Sequence, residues 1–181
     1  MQIQCDTREH TKEWDRIRTQ FDKLGVSYFR SKLYVGDYMS LDNPRLVIDR
    51  KKDLQEICGN VTQQHERFQR ELIRARDAGI HIVILCEHGH GIECLEDIFF
   101  WNNPRRKDHM YRTVNGKPKW IYIPPHKRAT SGRQLYRCLV TIQERYGVEF
   151  EFCSPSETGQ RIVEILSKGE RSGHRESQAE H

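Results

Sequence analysis

The chain has 181 residues, of which 36% are hydrophobic and 31% are charged. This length suits one domain with a buried core, and no apolar run approaches the roughly 18 residues that would span a bilayer. The net charge of +4 is too small to identify a nucleic-acid partner by itself. The six cysteines mostly lie in apolar runs and the N-terminus lacks a secretory pattern, so we expect a cytoplasmic protein with reduced thiols.

The first half of the chain is predicted to alternate strands and helices. Hydrophobic periodicity and the positions of the glycines predict strands over 2–6, 26–29, 33–40 and 45–51. The same signals predict helices over 11–24 and 54–77, the second with a break near Gly59-Asn60.

The second half begins with a short β-branched run over 80–86 that predicts a buried central strand. We expect helices over 93–101, 130–146 and 157–166, a strand over 148–153, and a disordered tail over 169–181. The domain is therefore expected to end at residue 168. Strands mixed with helices on both sides predict an α/β fold with a mixed central sheet flanked by helices.

Two acidic residues lie at equal distances from the centre of a predicted hairpin. If the strands on either side of Asn43 pair, Asp37 falls opposite Asp49, with about 4.5–5.5 Å between Cβ atoms. Facing carboxylates repel unless a cation lies between them, and Mg²⁺ or Mn²⁺ prefers such oxygen pairs. Because side chains alternate along a strand, Lys51 shares a face with Asp49, whereas Arg50 lies on the other. The pattern indicates a hydrolytic site for nucleic-acid backbone, although each acid alone could be an ordinary surface carboxylate.

Four segments, taken in order, resemble the XPF-type nuclease domain of the restriction-endonuclease-like superfamily. They cover roughly the first 80 residues and are Asp6-Thr7-Arg8-Glu9, Gly36-Asp37-Tyr38, Val47-Ile48-Asp49-Arg50-Lys51 and Arg67-Phe68-Gln69-Arg70-Glu71-Leu72. Asp49 departs from the pattern, because the family usually has Glu there, and so does Gln55, where an Asp is common. The chain has neither a helicase region nor a helix-hairpin-helix tail, so we expect a small stand-alone bacterial or phage-type member.

The resemblance implies a restriction-endonuclease-like core and a metal-dependent DNA endonuclease that cuts branched, flap or junction DNA during repair or recombination. Two alternatives stay open: a non-catalytic DNA-binding or assembly module on the same fold, and a sequence-directed duplex nuclease. A homodimer is also plausible, because relatives pair through their nuclease domains.

The same resemblance, together with the hairpin geometry, implies a set of site residues. The expected catalytic residues are Asp37, Asp49, Lys51, Glu9, Arg8 and Arg50. The expected ligands of Mg²⁺ or Mn²⁺ are Asp37, Asp49, Asp6 and Glu9, with a strand carbonyl near Arg50 as a further ligand. Arg67 and Glu71, on the helix that follows, either support the site or belong to a solvated charged face.

The segment 101–129 is basic, aromatic and without a clear period. It could be an arm, an extra hairpin around Asn115-Gly116 or a loop that orders on binding. Its cations suit phosphates and its rings suit stacking, unless its tryptophans simply pack in the core. The candidate DNA-binding residues are Arg105, Arg106, Lys107, Lys117, Lys119, Trp120, Lys127, Arg128 and Arg133, the last at a helix start that could hold a phosphate or be an ordinary cap.

Four potential zinc ligands lie close together in the sequence: Cys86, His88, His90 and Cys94. Their spacing is not that of the common zinc sites. Cys86 ends an apolar strand, so burial in the core is the simpler interpretation for it. We expect His88 or His90 to lie near the mouth of the site.

Overall fold

A computed structural model of the chain describes residues 1–8, 11–89 and 91–176, with side chains described as far as residue 168. In these residues the strands are β1 Gln2–Cys5, β2 Ser27–Arg30, β3 Tyr38–Ser40, β4 Asn43–Lys51, β5 His81–Glu87, β6 His109–Val114, β7 Lys117–Tyr122 and β8 Glu149–Cys153. The α-helices are α1 Thr11–Lys23, α2 Leu54–Thr62, α3 His65–Asp77, α4 Gly132–Tyr146 and α5 Thr158–Glu176.

Six strands form one mixed sheet in the order β2-β1-β3-β4-β5-β8. The pairs β1–β2, β4–β5 and β5–β8 are parallel, whereas β1–β3 and β3–β4 are antiparallel. Strand β5 lies between β4 and β8 and is buried on both faces, as its apolar sequence predicts. The predicted mixed central sheet is therefore present.

The sheet separates two hydrophobic cores. On one face, Trp14, Ile17 and Phe21 of α1 pack with α5 against Ile3 and the neighbouring strands. On the other face, α2, α3 and α4 pack against alternate residues of β4 and β5. Both sets of helices are amphipathic, so each contributes one apolar stripe to the sheet.

The hairpin β3–β4 has the predicted register but a shorter first strand. Tyr38 pairs with Ile48, and the register shifts at Ser40, which pairs with Asn43. The predicted strand over 33–40 begins only at Tyr38, because Gly36 has a left-handed φ of +65°. A Cβ there would clash with Val47 and lie 2.9 Å from the Ile48 carbonyl oxygen, so glycine is required at this close approach.

The predicted helix boundaries need three corrections. The break between α2 and α3 follows Thr62 rather than Gly59, because the N–H groups of residues 63 and 64 both donate to the Gly59 carbonyl oxygen and end the helix there. The predicted helix over 93–101 is a shorter 3-10 helix, Leu95–Phe100. Helix α5 continues beyond the predicted end to Glu176.

The predicted disordered tail over 169–181 therefore begins in a stretch whose backbone is helical as far as residue 176. The side chains of residues 169–176, and all of residues 177–181, lie outside what the structure describes. The domain boundary at 168 stays a prediction. No described helix has both the length and the apolar composition to cross a membrane.

Strands β6 and β7 settle the three alternatives for segment 101–129 in favour of a hairpin. The two strands form a separate sheet with each other. At its tip, Asn115 and Gly116 have φ values of +52° and +73°, as a type I′ turn requires. Trp120 is 67% exposed, so the alternative in which the tryptophans pack in the core is wrong for this residue.

Candidate active site

A cleft opens where β4 ends and α2 begins, with α3 along its side. It is lined from the strands by Gly36, Asp37, Asp49, Arg50 and Lys51, and from α3 by Arg67, Phe68 and Glu71. Two arginines from loops also line the cleft: Arg8, from the loop after β1, and Arg105, from the loop that begins near Asn103. The cleft therefore brings together most of the predicted catalytic residues.

Asp37 is held in place by backbone hydrogen bonds on both sides. Its N–H donates to the Ile48 carbonyl oxygen at 2.8 Å, and its own carbonyl oxygen accepts from the Asp6 N–H at 2.8 Å. Its carboxylate Oδ2 accepts from the Arg50 N–H, also at 2.8 Å. Asp37 therefore bridges β1 and β4, and the register of Tyr38 with Ile48 places it next to Asp49.

Asp49 and Lys51 form a buried ion pair in the cleft. The Lys51 Nζ lies 2.7 Å from Oδ2 and 2.8 Å from Oδ1 of Asp49, and the two residues are only 8% and 6% exposed. This contact confirms that positions 49 and 51 share a face of the strand. The ammonium also lies 5.8 Å from the centre of the Phe68 ring, within the range of a cation–π contact.

The pKa of Lys51 shows that its ammonium feels both acids. Burial alone would lower this pKa, but the charges of Asp49 and then Asp37, with the Asp49 hydrogen bond, outweigh burial and raise it. One cation thus sits within electrostatic reach of two carboxylates.

Asp6 lies in the core beside the cleft and orients Arg8. Its Oδ1 accepts from the Arg8 N–H and Nε at 2.7 and 2.8 Å, and its Oδ2 accepts from the Leu33 N–H at 2.7 Å and Arg8 Nη2 at 2.9 Å. The hydrogen bond to Asp6 does most to raise the pKa of Arg8, and the charges of Asp37 and Glu71 add to it. Asp6 is fully buried and is not among the residues that line the cleft, so this placement does not support its predicted role as a metal ligand.

The Arg50 side chain lies on the opposite face of the sheet from Lys51, as strand alternation predicts, and this placement does not support its predicted phosphate-binding role. Its Nη1 is 3.2 Å from Oε2 of the buried Glu87. Glu87 also accepts from Arg16 Nη2 at 2.6 and 2.7 Å and from Thr158 Oγ1 at 2.7 Å. The guanidinium therefore has a structural partner, and Arg50 contributes its backbone to the cleft rather than a phosphate-binding side chain.

Arg67 and Glu71 both line the cleft from α3. The Glu71 Oε1 accepts a long hydrogen bond of 3.4 Å from the Gly36 N–H, directly before Asp37 in sequence. An exposed pair of the kind expected for a solvated face joins Glu66 and Arg70 instead. The arrangement favours the supporting role for Arg67 and Glu71.

Several cleft residues were not predicted from the sequence. They include Glu13 at the start of α1 and Glu56 and Asn60 on α2. Asp53 caps α2 by accepting from the Glu56 N–H at 2.7 Å, which turns the first turn of that helix toward the cleft. These residues on α2 could have been expected near the site, because α2 begins only three residues after β4 ends and its first turn must therefore lie beside the end of that strand.

The described residues contain no cluster of three or more His, Cys, Asp or Glu side chains that could hold a metal ion. Glu9, the predicted additional ligand, lies outside the described residues, as does His90. Asp37 and Asp49 nevertheless offer the oxygen ligands that Mg²⁺ prefers. The zinc hypothesis is not supported among Cys86, His88 and Cys94, because Cys86 is fully buried and Cys94 is exposed.

The predicted DNA-binding residues fall into three places. Arg105 borders the cleft, whereas Lys117, Lys119 and Trp120 lie on β7 of the exposed hairpin. The other cations lie at the base of the hairpin or on α4. At the base, Lys107 and Lys127 are exposed, Arg106 donates to the Ala129 carbonyl oxygen, and Arg128 Nε donates to the Ile123 carbonyl oxygen at 2.9 Å. On α4, the Arg133 guanidinium lies over the Phe99 ring.

The start of α4 is an ordinary cap. The Gln134 N–H donates to Ser131 Oγ at 3.3 Å, and the Ser131 N–H donates to Gln134 Oε1 at 2.9 Å. This capping box satisfies the first N–H groups of the helix from within the chain. Of the two alternatives for this helix start, the structure favours the cap over the phosphate site.

The family model of the ERCC4 domain matches residues 5–165. No curated protein sequence matches the chain. Among solved structures, XPF from Aeropyrum pernix superposes with a TM-score of 0.61 at 18% identity, covering 96% of this chain and 64% of that one. XPF from Aeropyrum pernix in complex with DNA gives 0.57 at 16% identity, covering 94% and 66%. The chain thus spans about two thirds of these structures and shares the predicted restriction-endonuclease-like core.

Proposed function

Because the chain belongs to the ERCC4 domain family, we propose that it is a divalent-metal-dependent DNA endonuclease that cuts branched, flap or junction DNA. The observation that carries the proposal is the cleft in which Asp37, Asp49 and Lys51 meet. Their order and spacing match the motif by which the chain resembles XPF-type nucleases. The predicted cytoplasmic location and homodimer stay predictions.

Mg²⁺ fits the cleft on the chemistry of its side chains. Asp37 and Asp49 would hold the ion, with Glu9 as a further candidate ligand. A bound ion would lower the pKa of a coordinated water and neutralise charge on the scissile phosphate.

The cations of the cleft have separate roles in the proposed reaction. Lys51 stays protonated, so its Nζ can hold a phosphate oxygen or orient the attacking water by hydrogen bonding. Arg8 is fixed by its two-point contact with Asp6, which leaves its planar guanidinium preorganised for a phosphate. Arg67 and Arg105 stand at the cleft wall and rim, where they can bind flanking phosphates.

The test is cleavage by Asp37→Asn and Asp49→Asn variants. Each change keeps the shape of the side chain but removes a charged metal ligand, so we expect cleavage of labelled forks, flaps and four-way junctions in Mg²⁺ to fall by about a thousandfold or more. Binding to the same DNA should persist, because the phosphate-binding cations remain. Fluorescent gel assays of cleavage and of binding in EDTA measure the two separately.

The matched control is Asp42→Asn, at the far end of the same hairpin. Asp42 is exposed and pairs with the N-terminal amine, so its loss should leave cleavage unchanged. Wild-type rates in Asp37→Asn or Asp49→Asn would show that the site is assigned wrongly. Binding without products from the wild type, in Mg²⁺ and in Mn²⁺, would favour the non-catalytic module, and equal cutting of plain duplex and forks would favour the duplex nuclease.

A further inference from the structure

We propose that the hairpin arm, residues 104–129, binds unpaired nucleotides by stacking bases on its aromatic face. The inference deepens the proposed function by naming a feature of the substrate, and it rests on that function only in taking DNA as the ligand. The arm would then be a binding site for single-stranded DNA next to the cleft.

One face of the hairpin carries an aromatic ladder. Tyr111 pairs with Trp120 across the strands, with ring centres 5.3 Å apart, and His109 pairs with Tyr122 at 5.5 Å. The Arg128 guanidinium lies 5.3 Å from the centre of the Tyr122 ring and extends the ladder toward the base of the arm. Tyr111, Trp120 and Tyr122 remain 58%, 67% and 55% exposed.

The opposite face of the hairpin is cationic. By alternation from the aromatic pairs, it carries Arg112 opposite Lys119 and Val114 opposite Lys117. Eight of the chain's 30 Lys and Arg residues but only one of its 26 Asp and Glu residues lie in the arm, which therefore has a net charge of +7 against +4 for the whole chain. The remainder of the chain is thus slightly acidic, and the positive charge is concentrated here.

The base of the arm is fastened to the rim of the cleft by Asn103. This side chain, 3% exposed, accepts from Gln55 Nε2 at 2.7 Å and from the Arg105 N–H at 2.9 Å. Its Nδ2 donates to the Thr130 carbonyl oxygen at 2.7 Å, so it joins both ends of the arm. Gln55 and Arg105 themselves line the cleft, and a strand leaving the cleft would therefore meet the arm.

This combination of rings and cations favours nucleic acid as the occupant. An isolated two-stranded hairpin is marginally stable in water, so large rings left exposed on it call for a partner. Base stacking on aromatic side chains, with cations tracking the backbone, is the usual way of binding single-stranded DNA. A net charge of +7 complements a phosphate backbone. Stacking needs unpaired bases, because paired bases in a duplex present only their edges.

The test compares binding of single-stranded and duplex DNA by a Trp120→Ala variant of the full chain. Anisotropy of fluorescein-labelled oligothymidine and of a blunt duplex is followed in EDTA, where no metal-dependent cleavage occurs. We expect affinity for oligothymidine to fall about tenfold and for the duplex less than about twofold. The tryptophan fluorescence of the wild type should be quenched by oligothymidine, and this quenching should be weaker in Trp120→Phe, which keeps most of the affinity.

Two further variants separate stacking from hairpin integrity and from charge. Met110→Ala removes an exposed apolar side chain from the opposite face, so it should bind oligothymidine like the wild type. Arg112→Gln with Lys119→Gln should weaken binding of both DNAs and reduce the slope of log affinity against log salt by about 1.4 for oligothymidine and about 1.8 for the duplex. Equal losses for single-stranded and duplex DNA in Trp120→Ala, no loss in that variant, or a matching loss in Met110→Ala would each overturn the proposal.

The outcome is independent of the cleavage test. If Asp49→Asn cuts normally while Trp120→Ala loses oligothymidine binding, the active-site assignment fails and the arm proposal stands. If Asp49→Asn is inactive and Trp120→Ala binds normally, the reverse holds. Dissociation constants in EDTA and cleavage rates in Mg²⁺ therefore report on different parts of the molecule.

Discussion

Two buried groups of charged side chains lie on opposite faces of the end of β4, and they differ in whether they border an open cleft. On one face, the buried Glu87 accepts hydrogen bonds from Arg16 and Thr158 and forms an ion pair with Arg50. On the other, Asp49 and Lys51 pair within an open cleft that also contains Asp37. The first group is enclosed between the sheet and its helices, whereas the second borders a cleft that a ligand can enter.

The contrast shows that two consecutive residues of a strand can have different surroundings, one in a structural ion pair and the other in the candidate active site. Arg50 and Lys51 are neighbours in sequence, and both are basic and less than a tenth exposed. Alternation sends one side chain to a partner on β5 and leaves the other beside two carboxylates. Burial of a charge therefore does not identify a candidate catalytic group, and its position in an open cleft is more informative.

The largest effect on stability is expected from Glu87→Gln. The change leaves two guanidinium groups without their anionic partner in a buried site, which costs about 3 kcal/mol or more. Urea unfolding followed by circular dichroism measures the loss. Cleavage by the folded fraction at low temperature should stay within about twofold of wild type, because Glu87 and the Arg50 side chain lie on the other face of the sheet from Asp49 and Lys51.

Glu149→Gln is the matched control for this variant. Glu149 pairs with His81 at 2.9 Å, but its side chain is 62% exposed. Removing such a surface partner should change the free energy of unfolding by less than about 0.5 kcal/mol. Similar losses in both variants would show that the Glu87 network is not the closed structural unit described here.

Lys51→Met should act on cleavage as well as on stability, because it also leaves the buried Asp49 without its partner. Loss of the ammonium beside Asp49 removes a charged donor aimed into the cleft, so we expect kcat to fall about a hundredfold, equivalent to about 2.7 kcal/mol. Single-turnover cleavage of a fork in saturating enzyme measures this. Lys23→Met, on the last turn of α1, is the control. Wild-type cleavage in Lys51→Met would remove Lys51 from the mechanism.

A smaller effect is expected from Asn103→Ala, which separates the arm from the cleft. The variant leaves Gln55 and Thr130 without the buried amide that joins them, at a cost of about 1–2 kcal/mol. Trypsin should then cut the arm about tenfold faster, because local opening is easier. Asn102→Ala alters the exposed neighbour and should leave the proteolysis rate unchanged. Equal rates in both variants would contradict an anchoring role.

The smallest effect is expected from Asp6→Asn and depends on pH. Burial favours the neutral acid, but hydrogen bonds from Arg8 and the Leu33 N–H outweigh it and hold the pKa of Asp6 below its ordinary 3.8. Such a group stabilises the fold above its unfolded pKa and loses this contribution as pH falls through the lower folded value. Stability curves of wild type and variant should thus differ at about pH 7 and converge in strong acid. A difference that does not change with pH would contradict this assignment.

The core of the candidate site could be predicted because strand geometry is local. Alternation placed Asp49 and Lys51 on one face, and equal distances from Asn43 placed Asp37 near Asp49; the structure has both features. The catalytic roles of these residues remain proposals. The type I′ turn was also readable, since Asn115-Gly116 is a strong turn signal.

The remainder depends on contacts between residues that are distant in sequence. The partner of Arg50 is Glu87, on a strand whose register with β4 no local pattern specifies. The prediction of Asp6 as a metal ligand failed to include its hydrogen bonds, because no local pattern shows that the N–H groups of Arg8 and Leu33 donate to its carboxylate oxygens. Pairing between separate segments, rather than residue type, decided which acids face the cleft.

Because Asn103 joins the two ends of the arm, residues 104–129 form a unit that could be removed or replaced as a whole. Because a single amide holds residue 103 against the carbonyl of Thr130, the chain leaves and rejoins the core almost at one point. Its strands pair with each other and not with the central sheet, so excising them and joining the ends by a short linker would spare the central sheet. A different DNA-binding segment could be inserted between Asn103 and Thr130, which would allow substrate preference to be changed without altering the residues of the cleft.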